Sequence, residues 1–316
     1  MCNNYQIYLS QFVSLCGIIT HINKLLAILP QNMKNRLVIK GTLLTHQGSF
    51  YVGKEIFSSI LFSVVNSWYY SYYENNGELK ANISNETARE YGKIKSAING
   101  FTEDLHNLSI NYCLFKEINE TVHINGHKSN LYISVILENL FTNLRSIYDF
   151  LYHFVKITLS EKELKLYPQK DSINNLLAFS KNKNNQDKLP KNIIWILNNI
   201  ENDLNDIKQI RDNIIHKGKD FLLTRKEGVL FMRVPIKATN SNDNLLPNIL
   251  NTNEIDYNVE KYLNKIIKTT LKNMEDFGVI ITNEISSNSE IKLNLYSISN
   301  YCVDEFNEFL INKNSY

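Results

Sequence analysis

Over two stretches of this 316-residue sequence the apolar residues recur at steps of three and four for many turns, and that spacing admits little besides long helices packed along one face. The first stripe, Ile133, Ile136, Leu137, Leu140, Leu144, Ile147, Leu151, Phe154 and Val155, predicts a helix over Asn130–Leu159. The second, Ile193, Leu197, Ile200, Leu204, Ile207, Ile210 and Ile214, predicts one over Lys191–Lys217, opened by Pro190 and stopped by Gly218. Its alternating steps of four and three suit pairing with another helix or subunit. With 11 Gly and 5 Pro in the chain there are few places for tight turns. The remaining apolar windows, Tyr5–Leu29, Glu55–Tyr73, Asn85–Asn111, Val259–Glu284 and Ile291–Ile311, therefore read as helices as well.

Punctuation is local and specific. Pro30, Asn75-Asn76-Gly77 and Asn125-Gly126 mark stops or turns, and the sequence leaves Cys113–Val122 open. Ser160 and Glu163 have the spacing of a capping box; Asp171 and Asp256 are the expected caps of the helices that follow them. Ser180–Lys188 and Asn240–Asn253 are polar loops. Phe221–Ile236, β-branched and aromatic on both sides of Lys226-Glu227-Gly228, predicts a β-hairpin. The expected fold is thus all-α: a helical bundle with a small β-hairpin after the second long helix and an additional N-terminal helical region. The expected division is 1–125, 126–285 and a C-terminal helical extension, 286–316. No internal repeat at a fixed period is visible.

Charge and cysteine usage narrow the function classes. A net charge of +2 gives no global field that would coat nucleic acid or draw the chain to a membrane, so any RNA contact must be a local patch. Cys2, Cys16, Cys113 and Cys302 are widely spaced and form no C-x-x-C pair, which fits a reducing, cytoplasmic compartment. The first residues lack a basic segment before an apolar one, so no secretory signal is expected, and the N-x-[ST] matches at Asn82, Asn85, Asn107 and Asn119 are read as chance in an Asn-rich chain. The apolar windows Ile56–Val65 and Leu151–Ile157 fall short of the roughly 18–20 residues that a membrane span requires. A phosphate-binding glycine loop, a serine elbow, a zinc signature and a paired Cys/His nucleophile are all missing. His123 and His127 have metal-ligand spacing, but Asn125-Gly126 between them argues for a turn; no metal or cofactor is expected.

One segment carries chemistry. Arg211-Asp212-Asn213-Ile214-Ile215-His216 closes the second long helix. On an ideal α-helix positions 211 and 216 stand about 140° apart, so a joint site requires the helix to unwind at its end. The negative end of the helix dipole and Asp212 four residues earlier both favour a protonated His216. Arg211 offers a planar fork of donors to phosphate oxygens, and His216 can exchange a proton near neutral pH. Together they supply most of what transesterification of RNA needs, without a metal. Asp149 on the first long helix could orient Arg211 or His216, although Arg145 and His153, one turn away on either side, compete for it.

This segment resembles the signature of the HEPN superfamily: an Arg, a polar residue, then a His after four to six intervening residues in all, at the end of a bundle helix. The helix carrying Leu144-Arg145-Ser146-Ile147-Tyr148-Asp149-Phe150-Leu151 is similar to a core helix of several of its families, and the resemblance spans Asn130–Glu284. It implies a bundle that dimerises so that two motifs face each other as a metal-independent endoribonuclease, leaving 2′,3′-cyclic phosphate and 5′-hydroxyl ends. It further implies a toxin or anti-phage effector restrained by an antitoxin or sensor protein. The implied catalytic set is Arg211, His216 and Asp212, with Asp149, Arg145 and Asn213 in support and Lys217 and Lys219 on the RNA backbone. Many members are catalytically silent, so a module that binds RNA, a nucleotide or a partner protein stays open, as does a purely structural adaptor with Asp212 and His216 as an ordinary pair at a solvated helix end. Lys181, Lys183, Lys188 and Lys191 are additional phosphate contacts or a solvated loop, and Tyr69, Tyr70, Tyr72 and Tyr73 a stacking surface or packing.

Overall fold

The computed structural model describes residues 38–40, 59–72, 84–121, 126–216, 220–236, 243–285, 292–294 and 302–311; at 38–40, 59, 71–72, 126–127, 215–216, 292–294 and 311 it describes the backbone. The chain order is β1 (Val38–Lys40), α1 (Ser59–Tyr72), α2 (Asn85–Glu120), α3 (Gly126–Asp149), α4 (Leu151–Phe154), a 3₁₀ turn (Val155–Thr158), α5 (Glu161–Leu166), α6 (Ile173–Lys181) and α7 (Lys191–Arg211). A π-helical turn (Asp212–His216) ends α7. After it come β2 (Leu222–Lys226), β3 (Val229–Arg233), β4 (Tyr257–Asn258), α8 (Val259–Ile285), β5 (Lys292–Asn294) and α9 (Asp304–Ile311). The helix expected over residues 5–29, the turn at 75–77, His123, Tyr73 and Lys217 to Lys219 lie outside the described residues.

The described part is mostly helical, with a small antiparallel sheet in the order β2-β3-β4; β1 pairs in parallel with β5, Val38 opposite Lys292. The helices follow from capped, striped sequence. Ser84 accepts the Thr87 amide at the start of α2, whose 36 residues bury Tyr91, Ile94, Ile98, Phe101, Leu105, Leu108, Tyr112 and Phe115. Burial of Tyr112 and Phe115, and the ion pair of Lys116 with Glu260 (2.7 Å), carry α2 through the stretch the sequence left open. Ser160 and Glu163 form the expected capping box at α5. Two caps differ from expectation. Ser172, not Asp171, caps α6, and Asn258, not Asp256, accepts the Lys261 amide at α8. Strand β4 holds Tyr257 and Asn258 against β3, which moves the helix start onward and leaves Asp256 to pair with Lys226 and Arg233.

The buried core residues among those described, from Ile60 to Leu310, form one cluster, so the helices on either side of residue 125 share one interior. The first long helix is shorter than its stripe predicts. It breaks at Phe150, whose ring fills the space beside Gly100, where an added Cβ would lie 2.6 Å from that ring. Leu151, Phe154 and Val155 stay buried because the chain resumes at once as α4 and the 3₁₀ turn. Within the segment expected to be helical over 291–311, the described residues Lys292–Asn294 form strand β5 and Asp304–Ile311 form helix α9.

The hairpin turn has Glu227 at φ 51° and Gly228 at φ 81°, the doubly left-handed arrangement whose twist matches paired strands. Glu227 bears the steric cost of that region, and an asparagine there tolerates it. Glu227→Asn is expected to stabilise the protein by about 0.5–1 kcal/mol. A urea midpoint equal to or below that of the parent would show that the turn is not under this strain.

Candidate functional site

Helix α7 buries Ile193, Ile196, Leu197, Ile200, Leu204, Ile207 and Ile210, which fixes its rotation and turns the end of the helix, Arg211 and Asp212, half-exposed toward the surface. At that point the backbone changes repeat. Asp212–His216 form a π-helical turn, whose bonds span five residues instead of four, so position 216 comes about one turn beyond position 211 instead of lying round the side of the helix. The unwinding that the five-residue spacing demands is thereby built into the backbone. Of the His216 side chain, as of Lys217 and Lys219, the described residues say nothing.

A tertiary tether accompanies the wider turn. Gln209 and Asn213 both donate to the Leu245 carbonyl, at 3.0 and 3.3 Å. Asn213 is buried, so it ties the turn to the loop before β4 rather than facing a substrate. Asn244 shapes that loop by accepting the Val234 and Leu246 amides and donating to Ile255. Neither Gln209 nor Asn244 stands out from the sequence; the one local signal is the run of short polar residues Asn240–Asn244, which favours such side-chain-to-backbone turns.

The neighbouring helix contributes a second charged pair. Arg145, 3% exposed on α3, bonds through Nη2 to Asp149 Oδ1 at 3.1 Å. Burial lowers its pKa, Asp149 raises it, and Arg211 and Asp212 act on it with opposite signs. Asp149 is committed to Arg145 and to the Ile173 amide (3.2 Å) at the start of α6. His153 does not compete for it. Burial and the nearby Lys156 push the His153 pKa down to about 4, which makes it a neutral, half-buried ring. Beyond the turn, Phe221 stacks on Phe141 (5.9 Å), and Asp220 together with burial raises the pKa of Glu138.

Other sequence candidates are dispersed. Lys181 pairs with Glu201, and Lys188 bonds Asn185 beneath the Phe179 ring, while Lys183 and Lys191 are exposed. Tyr69 and Tyr70 meet edge to face with Lys95 over both rings. A depression of about 580 Å³ elsewhere on the surface is lined by Glu117, Glu120, Glu260, Glu305 and Glu308, a carboxylate wall that repels phosphates. Among the described residues, no three His, Cys, Asp or Glu side chains gather as metal ligands, and no helix is long and apolar enough to cross a membrane. No family model, curated protein or solved structure matches the chain.

Proposed function

We propose that this chain is an endoribonuclease of HEPN type, working as a homodimer with Arg211 and His216 at its centre. The observation that carries the reading is the π-helical turn, which brings backbone position 216 one turn beyond position 211 at the end of a long, buried helix. In the reaction, the 2′-hydroxyl of a ribose gives up its proton to solvent as its oxygen attacks the adjacent phosphorus, and the bond from phosphorus to the 5′-oxygen breaks. Arg211 binds the phosphate and stabilises the charge that gathers on its oxygens; His216 passes a proton to the leaving 5′-oxygen; Asp212 orients the pair. No metal takes part, and the products are a 2′,3′-cyclic phosphate and a 5′-hydroxyl. A toxin or defence effector held in check by a partner protein is the role that such an activity fits.

The test is cleavage of a mixed cellular RNA pool in the presence of a chelator, by the parent protein beside Arg211→Ala and His216→Ala, with end-group identification. Each variant is expected to lose at least about 100-fold in rate, the scale of removing one acid–base or charge-stabilising group. A folded, dimeric parent that binds RNA without cutting it turns the assignment to a silent binding module. Cleavage that both variants retain rules out this site.

A further inference from the structure

We infer that Asn213 is a positioning residue for His216, holding the end of α7 in the π-helical repeat on which the site of Arg211 and His216 depends. The inference rests on the ribonuclease reading above. A π-helical turn is a rare way to end a helix, so contacts beyond the local sequence must favour it here over a continued α-repeat. Asn213 is the second residue of that turn and is 3% exposed, with Ile210 and Ile214 buried on either side. It occupies a core-facing position that a leucine would fill, and a buried amide is costly unless it is bonded. Its Nδ2 donates to the Leu245 carbonyl, 32 residues away, at 3.3 Å.

The anchor is fixed independently of the turn. Leu245 donates its amide to the Val234 carbonyl (2.8 Å), and Asn244 Oδ1 accepts the Val234 and Leu246 amides at 3.1 and 3.0 Å, so the Leu245 carbonyl has a set place beside α7. The Gln209 side chain reaches the same oxygen (3.0 Å) from the last regular turn of the helix. On an ideal α-helix position 213 stands about 40° past position 209; a wider repeat turns less per residue and brings the two into line over one acceptor. The bonds therefore read the repeat: the amide at 213 meets its acceptor in the π-turn and swings away from it in an α-turn. The same difference decides where position 216 goes, one turn beyond position 211 in the first case and about 140° round the helix in the second. Selecting one register in this way is the best-attested use of a buried polar side chain. Arg211 precedes the turn and is placed by Ile207 and Ile210 in the core, so loss of the tether displaces His216 and leaves the phosphate contact.

The experiment compares Asn213→Leu, which keeps the buried volume and removes the donor, with the parent, each checked for folding by thermal unfolding. It reads single-turnover cleavage of the RNA pool in the presence of a chelator and, separately, binding of a non-cleavable 2′-O-methyl RNA. Asn213→Leu is expected to cleave more slowly by about tenfold to 100-fold, the scale of a misplaced reacting group. Binding should stay within about twofold, and the melting temperature should not fall, because Gln209 still satisfies the Leu245 carbonyl. In the His216→Ala background the same substitution is expected to cost nothing further, since it acts through that side chain. A generally damaged fold would instead lower stability and binding, and would slow both backgrounds alike. Should Asn213→Leu not fold, Gln209→Ala, at an exposed position on the same carbonyl, takes its place, with cleavage slowed about threefold and binding unchanged. A folded Asn213→Leu protein that cleaves at the parental rate overturns the inference, as does an equal loss in binding and rate, a full further loss in the His216→Ala background, or, where Asn213→Leu does not fold, parental cleavage by Gln209→Ala. Any of these beside slowed Arg211→Ala and His216→Ala leaves the ribonuclease reading standing, whereas a parent that does not cleave, or cleavage that those two retain, sinks both.

Discussion

Replacing Gly278 by alanine is expected to lower stability by about 3 kcal/mol, the upper part of the range for overpacking a filled interior, although the same change in an open helix raises it. Gly278 lies where α8 crosses α1 with the two backbones in contact. An added Cβ would sit 2.3 Å from the Leu61 nitrogen, 2.6 Å from its Cα and 2.9 Å from the Ile60 carbonyl carbon. Backbone cannot rotate away as a side-chain tip can, so the helices must part, and Leu61, Val64, Val65, Phe277 and Ile281 lose contact together. The bond from the Ile60 amide to Glu275 (3.1 Å) pins the start of α1 to the same stretch of α8 and leaves little slack. The alanine gains about 1 kcal/mol of helix propensity, which the clash outweighs. Gly92 on α2 is the control: nothing lies within 4 Å of its added Cβ, and Gly92→Ala is expected to stabilise by about 0.5–1 kcal/mol. Chemical unfolding of both variants decides the matter. Shifts of the same sign would mean that the close crossing does not limit α8.

The stripes made the long helices legible because an apolar period of 3.6 has one efficient use, burial of a single face; Ile133 to Ile147 and Ile193 to Ile210 do lie in the core. The hairpin was legible for a related reason, since Glu227-Gly228 sits between strand-forming residues and glycine accepts the left-handed turn. Boundaries set by distant contacts were not legible. The helix of the first stripe ends at Asp149, next to Phe150, whose ring packs beside Gly100 fifty positions earlier, and Asp256 is drawn from its expected cap to Lys226 and Arg233 by a two-residue strand that no local pattern announces. The motif shows the same division. Arg211 and His216 are visible as a spacing, whereas the π-helical turn coincides with amide tethers to Leu245, more than thirty residues away.

Glu90→Gln is expected to destabilise by about 3–5 kcal/mol, the cost of stranding one partner of a buried ion pair, and by clearly more than Lys156→Met. Lys156 is 1% exposed, its Nζ 2.8 Å from Glu90 Oε2 and 4.6 Å from the centre of the Tyr152 ring, with Tyr167 at 5.7 Å. Without the Glu90 charge the ammonium keeps two aromatic faces and the charge of Asp171, and burial already lowers its pKa. The reverse deletion is milder because Glu90 is a fifth exposed and retains Lys93 at 2.8 Å. In the double variant neither charge is stranded, so it should recover most of what Glu90→Gln loses. The acid limb gives a separate check. Burial pushes the Glu90 carboxyl up, but the hydrogen bonds and charges of Lys156 and Lys93 outweigh it and hold the folded pKa below the ordinary 4.5. Its contribution is then fully present above pH 4.5 and is lost as the pH falls through the lower, folded value. In the parent, stability should fall across that window, and in Glu90→Gln that part of the fall should vanish. Urea titrations at pH 7 and through the acid range read both effects. A double variant as unstable as Glu90→Gln, or an acid limb that the substitution leaves unchanged, would show that the pair is not coupled as its geometry requires.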